Sequence, residues 1–253
     1  MTRLWLIFFN CALTRLAFNC ALAGLAAANS APAAGLSVSG RVELSSIPER
    51  THGRAQSLSD IVVWLKPLHA AALPLPHEHG QLLQKDKMFH PHTLAITVGS
   101  TVDFPNADPI FHNAFSNFDG ELFDVGLYPP GTTRSVRFRK PGIVRVFCNI
   151  HPAMSAVIVV VETPYFTMAG PDGRYRIANV PPGSYELHVF DERATAGPES
   201  QILLTVDGGE SQVTAPPIHL SEAGYVHPEH KNKYGLDYPP SSTDAETYTG
   251  IPK

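Results

Sequence analysis

One cysteine lies beyond the first twenty residues of this chain, and it opens the string Cys148-Asn149-Ile150-His151-Pro152-Ala153-Met154. Thiolate, imidazole and thioether follow at the spacing C-x2-H-x2-M. With one further histidine they make the donor set of a mononuclear copper centre of the electron-transfer kind, two imidazoles and a thiolate with a weak thioether. Taken singly, each residue has an ordinary explanation. A lone cysteine is often a small buried hydrophobe, and a methionine fills core gaps. Their joint spacing, just after the strand-like run Ile143-Val144-Arg145-Val146-Phe147, is what points to a metal.

The upstream histidine has two candidates. His112 precedes Asn113 and follows a strand pattern ending at Phe104-Pro105-Asn106; His92 lies at the start of a strand with His90 nearby. His77 and His79 are one residue apart, but Pro76-His77-Glu78-His79 lacks the H-E-x-x-H spacing of a zinc protease and reads as a solvated loop. His227 and His230 fall in a polar tail where they could gather metal adventitiously, and His52, His69, His188 and His219 have no partner at a meaningful spacing. Trp64 sits in an apolar run and reads as core.

The compartment decides how a single thiol is read. After Met1-Thr2-Arg3 comes an apolar stretch over residues 4–28, interrupted by Asn10, Thr14, Arg15 and Asn19. Ala26-Ala27-Ala28 and Ala31-Pro32-Ala33 then offer small-residue cleavage sites. Residues 1–33 are read as an export signal, with an uncleaved anchor as the alternative. Cleavage removes Cys11 and Cys20 and leaves Cys148 alone in an oxidising compartment, the periplasm, where ligation would protect its thiolate. No later apolar stretch is long enough to span a membrane, so no stable membrane insertion is expected after cleavage.

About 220 residues remain, enough for one large or two small domains. The chain is 43% hydrophobic with formal net charge −4, and its 23 prolines and 19 glycines favour loops and short strands. No basic run or RNA-binding motif argues for nucleic acid. There is no G-x-S-x-G, no Gly-rich phosphate loop and no evident acid–base pair, so no catalytic constellation is expected.

Short alternating segments position the candidate donors. Leu94, Ile96 and Val98 alternate before Gly99-Ser100, Val102 and Phe104 before Pro105-Asn106, and Val136 and Phe138 before the turn Lys140-Pro141-Gly142. A strand leads into Cys148 and another, Ala156 to Val161, leads out. This is the signature of an all-β sandwich over residues 80–162.

The run from Phe89 to Asn106, with His112-Asn113 and the string from Val146 to Met154, resembles the cupredoxins, the short ligand loop most closely the amicyanin branch known from methylamine-oxidising bacteria. The resemblance covers about a third of the chain. It implies a Greek-key sandwich holding one type 1 copper through His112, Cys148, His151 and Met154, since the family's upstream ligand follows the V-x-F strand. It further implies that Asn113 ties the two ligand loops together and that backbone around Asn149 donates to the sulfur. Asn149 stands where multicopper oxidases carry a further histidine. The function implied is single-electron transfer, with transient docking of redox protein partners near His151 against Ile150, Pro152, Ala153 and the Tyr128-Pro129-Pro130 turn. Copper storage or delivery, and non-catalytic binding in the cell envelope, are the competing readings.

Around this unit lies a second pattern. Asp172-Gly173 between strands and Pro181-Pro182-Gly183 before the alternating Tyr185, Leu187 and Val189 are hairpin grammar. They are similar to the carboxypeptidase-regulatory-like (transthyretin-like) β-sandwich, whose opening strands match Ser39-Gly40-Arg41-Val42 and Asp60-Ile61-Val62-Val63-Trp64-Leu65. Two organisations fit. In one, residues 36–72 and 163–221 form a discontinuous sandwich into which the copper unit is inserted; in the other, two domains follow one another and the N-terminal hairpin joins the first. The polar, aperiodic residues 222–253 are expected to be flexible or draped over the surface.

Overall fold

The structure, a computed structural model, describes residues 36–44, 58–69, 74–117, 120–195, 202–226 and 230–239. The export segment expected over residues 1–33 lies outside the described residues, as do His52 and His227. Among the described residues no helix is long and apolar enough to cross a membrane.

The described part of the protein is all-β. Its strands in chain order are Leu36–Leu44 (β1), Val62–Pro67 (β2), His79–Gln81 (β3), Leu83–Lys85 (β4), Met88–His90 (β5), Thr93–Thr97 (β6), Thr101–Pro105 (β7), Phe115–Ser116 (β8) and Phe123–Asp124 (β9). They continue with Thr133–Arg137 (β10), Gly142–Phe147 (β11), Ser155–Val161 (β12), Phe166–Met168 (β13), Arg174–Val180 (β14), Gly183–Phe190 (β15), Ile202–Val206 (β16), Gln212–Thr214 (β17) and Ile218–Leu220 (β18).

Two sheets built from the middle of the chain enclose one core. The first runs β6-β12-β11-β8-β9 and the second β10-β7-β3, with the β4–β5 ribbon beside them. β11 and β12 are antiparallel, Phe147 opposite Ser155, so the segment bearing Cys148 and His151 is a hairpin connection closed by its own strands. Between the sheets lie Val102, Phe104, Val144, Val146, Ile158 and Cys148 itself.

The ends of the chain pair with each other. β1 lies antiparallel to β14 and parallel to β17 and β18, while β2 sits between β13 and β15 in the sheet β13-β2-β15-β16. Val38, Val63, Leu65, Ile177, Leu187 and Leu220 fill the core between these two sheets. Gly173 makes the turn before β14 at φ +80°, where a Cβ would fall 2.2 Å from the Val42 carbonyl oxygen, so the Asp-Gly step has a steric reason.

The run Ala156-Val157-Ile158-Val159-Val160-Val161 does not alternate because β12 is buried on both faces. Ala156, Ile158 and Val160 face the core around Cys148; Val157, Val159 and Val161 face Val62, Trp64 and Phe166 of the other sandwich. A strand with apolar neighbours on both sides carries no polar face to show in sequence. Trp64 is only partly buried there, stacked on His188 at 5.1 Å between ring centroids.

Candidate metal centre

His112 sits beyond β7 in a loop shaped by Asn106. The Asn106 side chain donates to the Ile110 carbonyl (2.8 Å) and accepts from the Asp108 N–H (3.0 Å). His112 then exchanges two backbone hydrogen bonds with Tyr128 (3.2 and 2.9 Å), which fixes its Cα against the core. In the loop after β11, Cys148 N–H donates to Met154 O (3.2 Å) and Met154 N–H to His151 O (3.0 Å), so the seven-residue turn folds onto itself.

These two loops bring His112, Cys148 and His151 together. Cys148 Sγ lies 3.9 Å from His112 Nδ1 and 3.6 Å from His151 Nδ1, and the two nitrogens are 3.1 Å apart. A triangle with those sides has its centre about 2.1 Å from each corner, the length of a metal–imidazole bond and close to that of a metal–thiolate bond. His112, Cys148 and Met154 are fully buried; His151 is partly exposed. Met154 belongs to the same apolar cluster as Cys148. The donor set and its spacing therefore fit a thiophilic metal ion, with Met154 at hand as the thioether.

The orientation of His112 rests on a residue that the sequence reading missed. Asp108 Oδ2 accepts from His112 Nε2 at 2.8 Å. A carboxylate only accepts, so the proton is on Nε2 and the Nδ1 lone pair faces the sulfur and His151. Asp108 is itself held by the N–H groups of Asp86 (2.7 Å) and Lys87 (2.9 Å). Burial pushes its carboxyl up, but the N–H of Lys87, the His112 ring and the N–H of Asp86 together outweigh that and keep it below the usual carboxylate value. The only signal in the sequence was an aspartate four residues ahead of the histidine, inside a loop.

Asn113 joins the two loops. Its Oδ1 accepts the Asn149 N–H (3.3 Å), and its Nδ2 donates to Asp124 Oδ1 (2.8 Å) and Gly126 O (2.9 Å). The Asn149 amide is thus spent on Asn113, and the backbone around it reaches the sulfur through its neighbours. Burial pushes the Cys148 thiol up, and the backbone N–H groups of Ile150, Asn113 and His151 act against that by donating to the sulfur. Such donors and a nearby cation are what hold a buried sulfur as thiolate.

Other expected positions fall elsewhere. His92 is not at the centre; its Nε2 pairs with Glu192 at 2.5 Å, because its strand starts at the far side of β12. His79 lies 3.6 Å from Asp103, His188 3.2 Å from Glu186 and His219 3.5 Å from Glu43, and His77 packs beneath Gly99. Tyr128, placed by the sequence reading in an exposed docking turn, is fully buried with its hydroxyl donating to Phe104 O (2.9 Å); Pro129 and Pro130 are exposed. Of the tail, expected to be flexible or draped over the surface, residues 230–239 lie against the ligand loop and contact it through His230, Lys233 and Tyr238.

No family model matches the sequence, and no curated protein matches it. Solved structures similar to the chain include copper proteins. A Cu-containing nitrite reductase from Thermus scotoductus SA-01 is 28% identical over 39% of this chain, with a TM-score of 0.33; the chain spans only 26% of that enzyme. A purple cupredoxin from Nitrosopumilus maritimus is 23% identical over 32% of this chain and 99% of its own, at a TM-score of 0.30. Amicyanin from Paracoccus versutus is 20% identical over 39% of this chain and 97% of its own, at 0.31. These values carry no inference about activity; the chemistry rests on the donor set.

Proposed function

We propose that the chain is an exported, periplasmic type 1 copper protein that carries single electrons between redox partners, holding one copper through His112, Cys148, His151 and Met154. The observation that carries this reading is the triangle of two imidazole nitrogens and one buried sulfur, whose centre stands at bonding distance from all three. When bound, copper supplies a one-electron couple. The protein's own part is to keep the donors still. Asp108 fixes the His112 tautomer, Asn113 locks the two loops together, and the β11–β12 hairpin fixes both ends of the ligand loop. Donors that do not move when the charge changes keep reorganisation small.

His151 is the exit for the electron on this reading, because it is the one imidazole of the pair that reaches the surface. Transient docking would use Ile150, Pro152 and Ala153 beside it, with Pro129 and Pro130 but without Tyr128. Four protein donors leave no position for a substrate, and with Asn149 following the thiolate the chain is read as a carrier rather than an enzyme. Residues 80–162 form the copper-bearing unit, inserted in a second sandwich made of 36–72 and 163–221; pairing of β1 and β2 with strands beyond β12 supports this.

The copper-loaded protein without residues 1–33 is expected to show an intense absorption at about 600 nm from sulfur-to-copper charge transfer, absent in Cys148→Ser. A colourless copper complex of the unaltered chain would overturn the reading. Copper that binds and exchanges but does not cycle between its two states would favour delivery or storage instead.

A further inference from the structure

Residues 230–239 lie over the outside of the ligand loop and touch the end of β11 and three residues of the loop. The His230 ring stacks on Phe147, with centroids 3.9 Å apart and planes 25° from parallel. The Tyr238 hydroxyl donates to the carbonyl oxygen of Cys148 (2.8 Å). The Lys233 N–H donates to Asn149 Oδ1 (3.0 Å), and His230 Nε2 donates to Pro152 O (2.8 Å). A further tie reaches the other ligand loop. Lys233 Nζ pairs with Asp124 Oδ2 at 2.8 Å, while Asp124 Oδ1 accepts from Asn113.

The segment is built to keep this shape. Asn232 Oδ1 accepts the N–H groups of Tyr234 (2.9 Å) and Leu236 (3.1 Å). Asn232 N–H donates to Leu236 O and Gly235 N–H to Asn232 O, both at 2.9 Å, with Gly235 at φ +76° closing the turn. Lys231 and Asp237 pair across its base. A chance contact of a loose tail would not carry its own internal turn and also address three different residues of one loop and the strand end before it. Each of the three hydrogen bonds ends on a group that the loop itself leaves without a β-ladder partner: two carbonyls and one amide side chain.

We propose that residues 230–239 are a strap that positions the metal-binding loop from outside, with His230, Lys233 and Tyr238 as its positioning residues. The strap restrains the thiolate-bearing residue through its own carbonyl and keeps water off the back of the loop. Its effect on a bound metal rests on the copper reading above; its effect on the loop does not.

The test uses the full chain in two forms. In the metal-free protein, the rate at which a small uncharged alkylating reagent labels Cys148 reports how often the loop opens. Tyr238→Phe, which keeps the ring and removes one hydroxyl, should raise that rate about fivefold, the loss of one ordinary hydrogen bond from the closed state. A chain ending at Val226 should raise it roughly 100-fold, three such bonds together. In the copper-loaded protein both variants should lower the reduction potential, because water admitted to the site favours the more highly charged oxidised state. Unchanged labelling in Tyr238→Phe overturns the proposal. Faster labelling with an unchanged potential makes the segment a cover and overturns the positioning role. Faster labelling in a protein that shows no copper–thiolate band keeps the strap and removes the copper reading instead.

Discussion

Replacing Asp108 by Asn tests whether the centre is held by more than its ligands. Three N–H donors converge on this carboxylate. Lys87 N–H and the His112 ring address Oδ2, and Asp86 N–H addresses Oδ1 at 2.7 Å. An amide of the same shape has one oxygen. If that oxygen keeps the two donors on its side, the NH2 group faces the Asp86 N–H, and a buried donor opposing another donor costs about 1–3 kcal/mol. The bond to His112 also falls from charge-assisted to neutral, a loss of about 1 kcal/mol. If the amide flips, the NH2 group faces His112 Nε2 and pushes the ring toward the wrong tautomer. Either way the cost falls on the geometry that presents Nδ1. The apparent affinity for Cu(II), measured by competition with a chelator, should drop by about 10–100-fold, the usual effect of removing a partner behind a metal-bound histidine. The reduction potential should rise at the same time, because the anion that stabilises the oxidised state is gone. Asp108→Asn with unchanged affinity and unchanged potential would refute the argument.

Two further outcomes concern the scaffold. His92 Nε2 bonds Glu192, which raises the imidazole pKa from 6.5; burial opposes this, and the charges of Glu192 and Asp60 add to it. A raised folded-state value means the pair contributes fully below the unfolded pKa and is lost as pH rises through the folded one. Urea unfolding should therefore show His92→Gln less stable than the unaltered protein in mild acid by about 1 kcal/mol or less, as for a partly exposed pair, with the difference vanishing well above neutral pH; a difference that grows with pH would contradict the assignment. Val159→Ala empties part of the dry contact between the sandwiches and should cost about 2 kcal/mol in the same assay while leaving the visible spectrum of the copper form unmoved.

Cys148, His151 and Met154 can be read from sequence because a single loop carries them at fixed spacing, whereas the choice of His112 over His92 rests on the ligand order that the cupredoxin resemblance implies. Asp108 has no comparable pattern. Its importance comes from where the turn around Asn106 puts it, and that turn is set by side-chain hydrogen bonds that composition does not encode. Alternation exposes β7 and the strand around Phe138, but it fails for β12, where both faces are buried and the run looks merely apolar. The contacts of the tail are hidden in the sequence for the opposite reason. Residues 230–239 bury little apolar surface and act through single polar atoms, so they have neither period nor hydrophobic run to reveal them.

Among the described residues the second sandwich has no donor cluster of its own, yet its loop after β15 holds both ends of the arrangement. Glu192 pairs with Arg145 of β11 (3.0 Å) and with His92, and so grips the sheet that carries the ligand loop. Three residues later, Thr195 donates through its N–H to Ser221 O (2.8 Å) and through its hydroxyl to Ala223 O (2.7 Å). Arg193 pairs with the buried Glu222 at 3.0 Å. The chain leaving β18 is thereby pinned on the same loop that holds β11, before it reaches the residues that lie over Cys148. A fragment cut out at residues 80–162 would lose this path and the strap with it. It would also turn Val157, Val159 and Val161 to solvent, an apolar row on a sheet face. On the proposed organisation the outer sandwich fixes the β11–β12 sheet from behind and sends a strap around to the loop that bears Cys148, so that the loop is restrained from two sides.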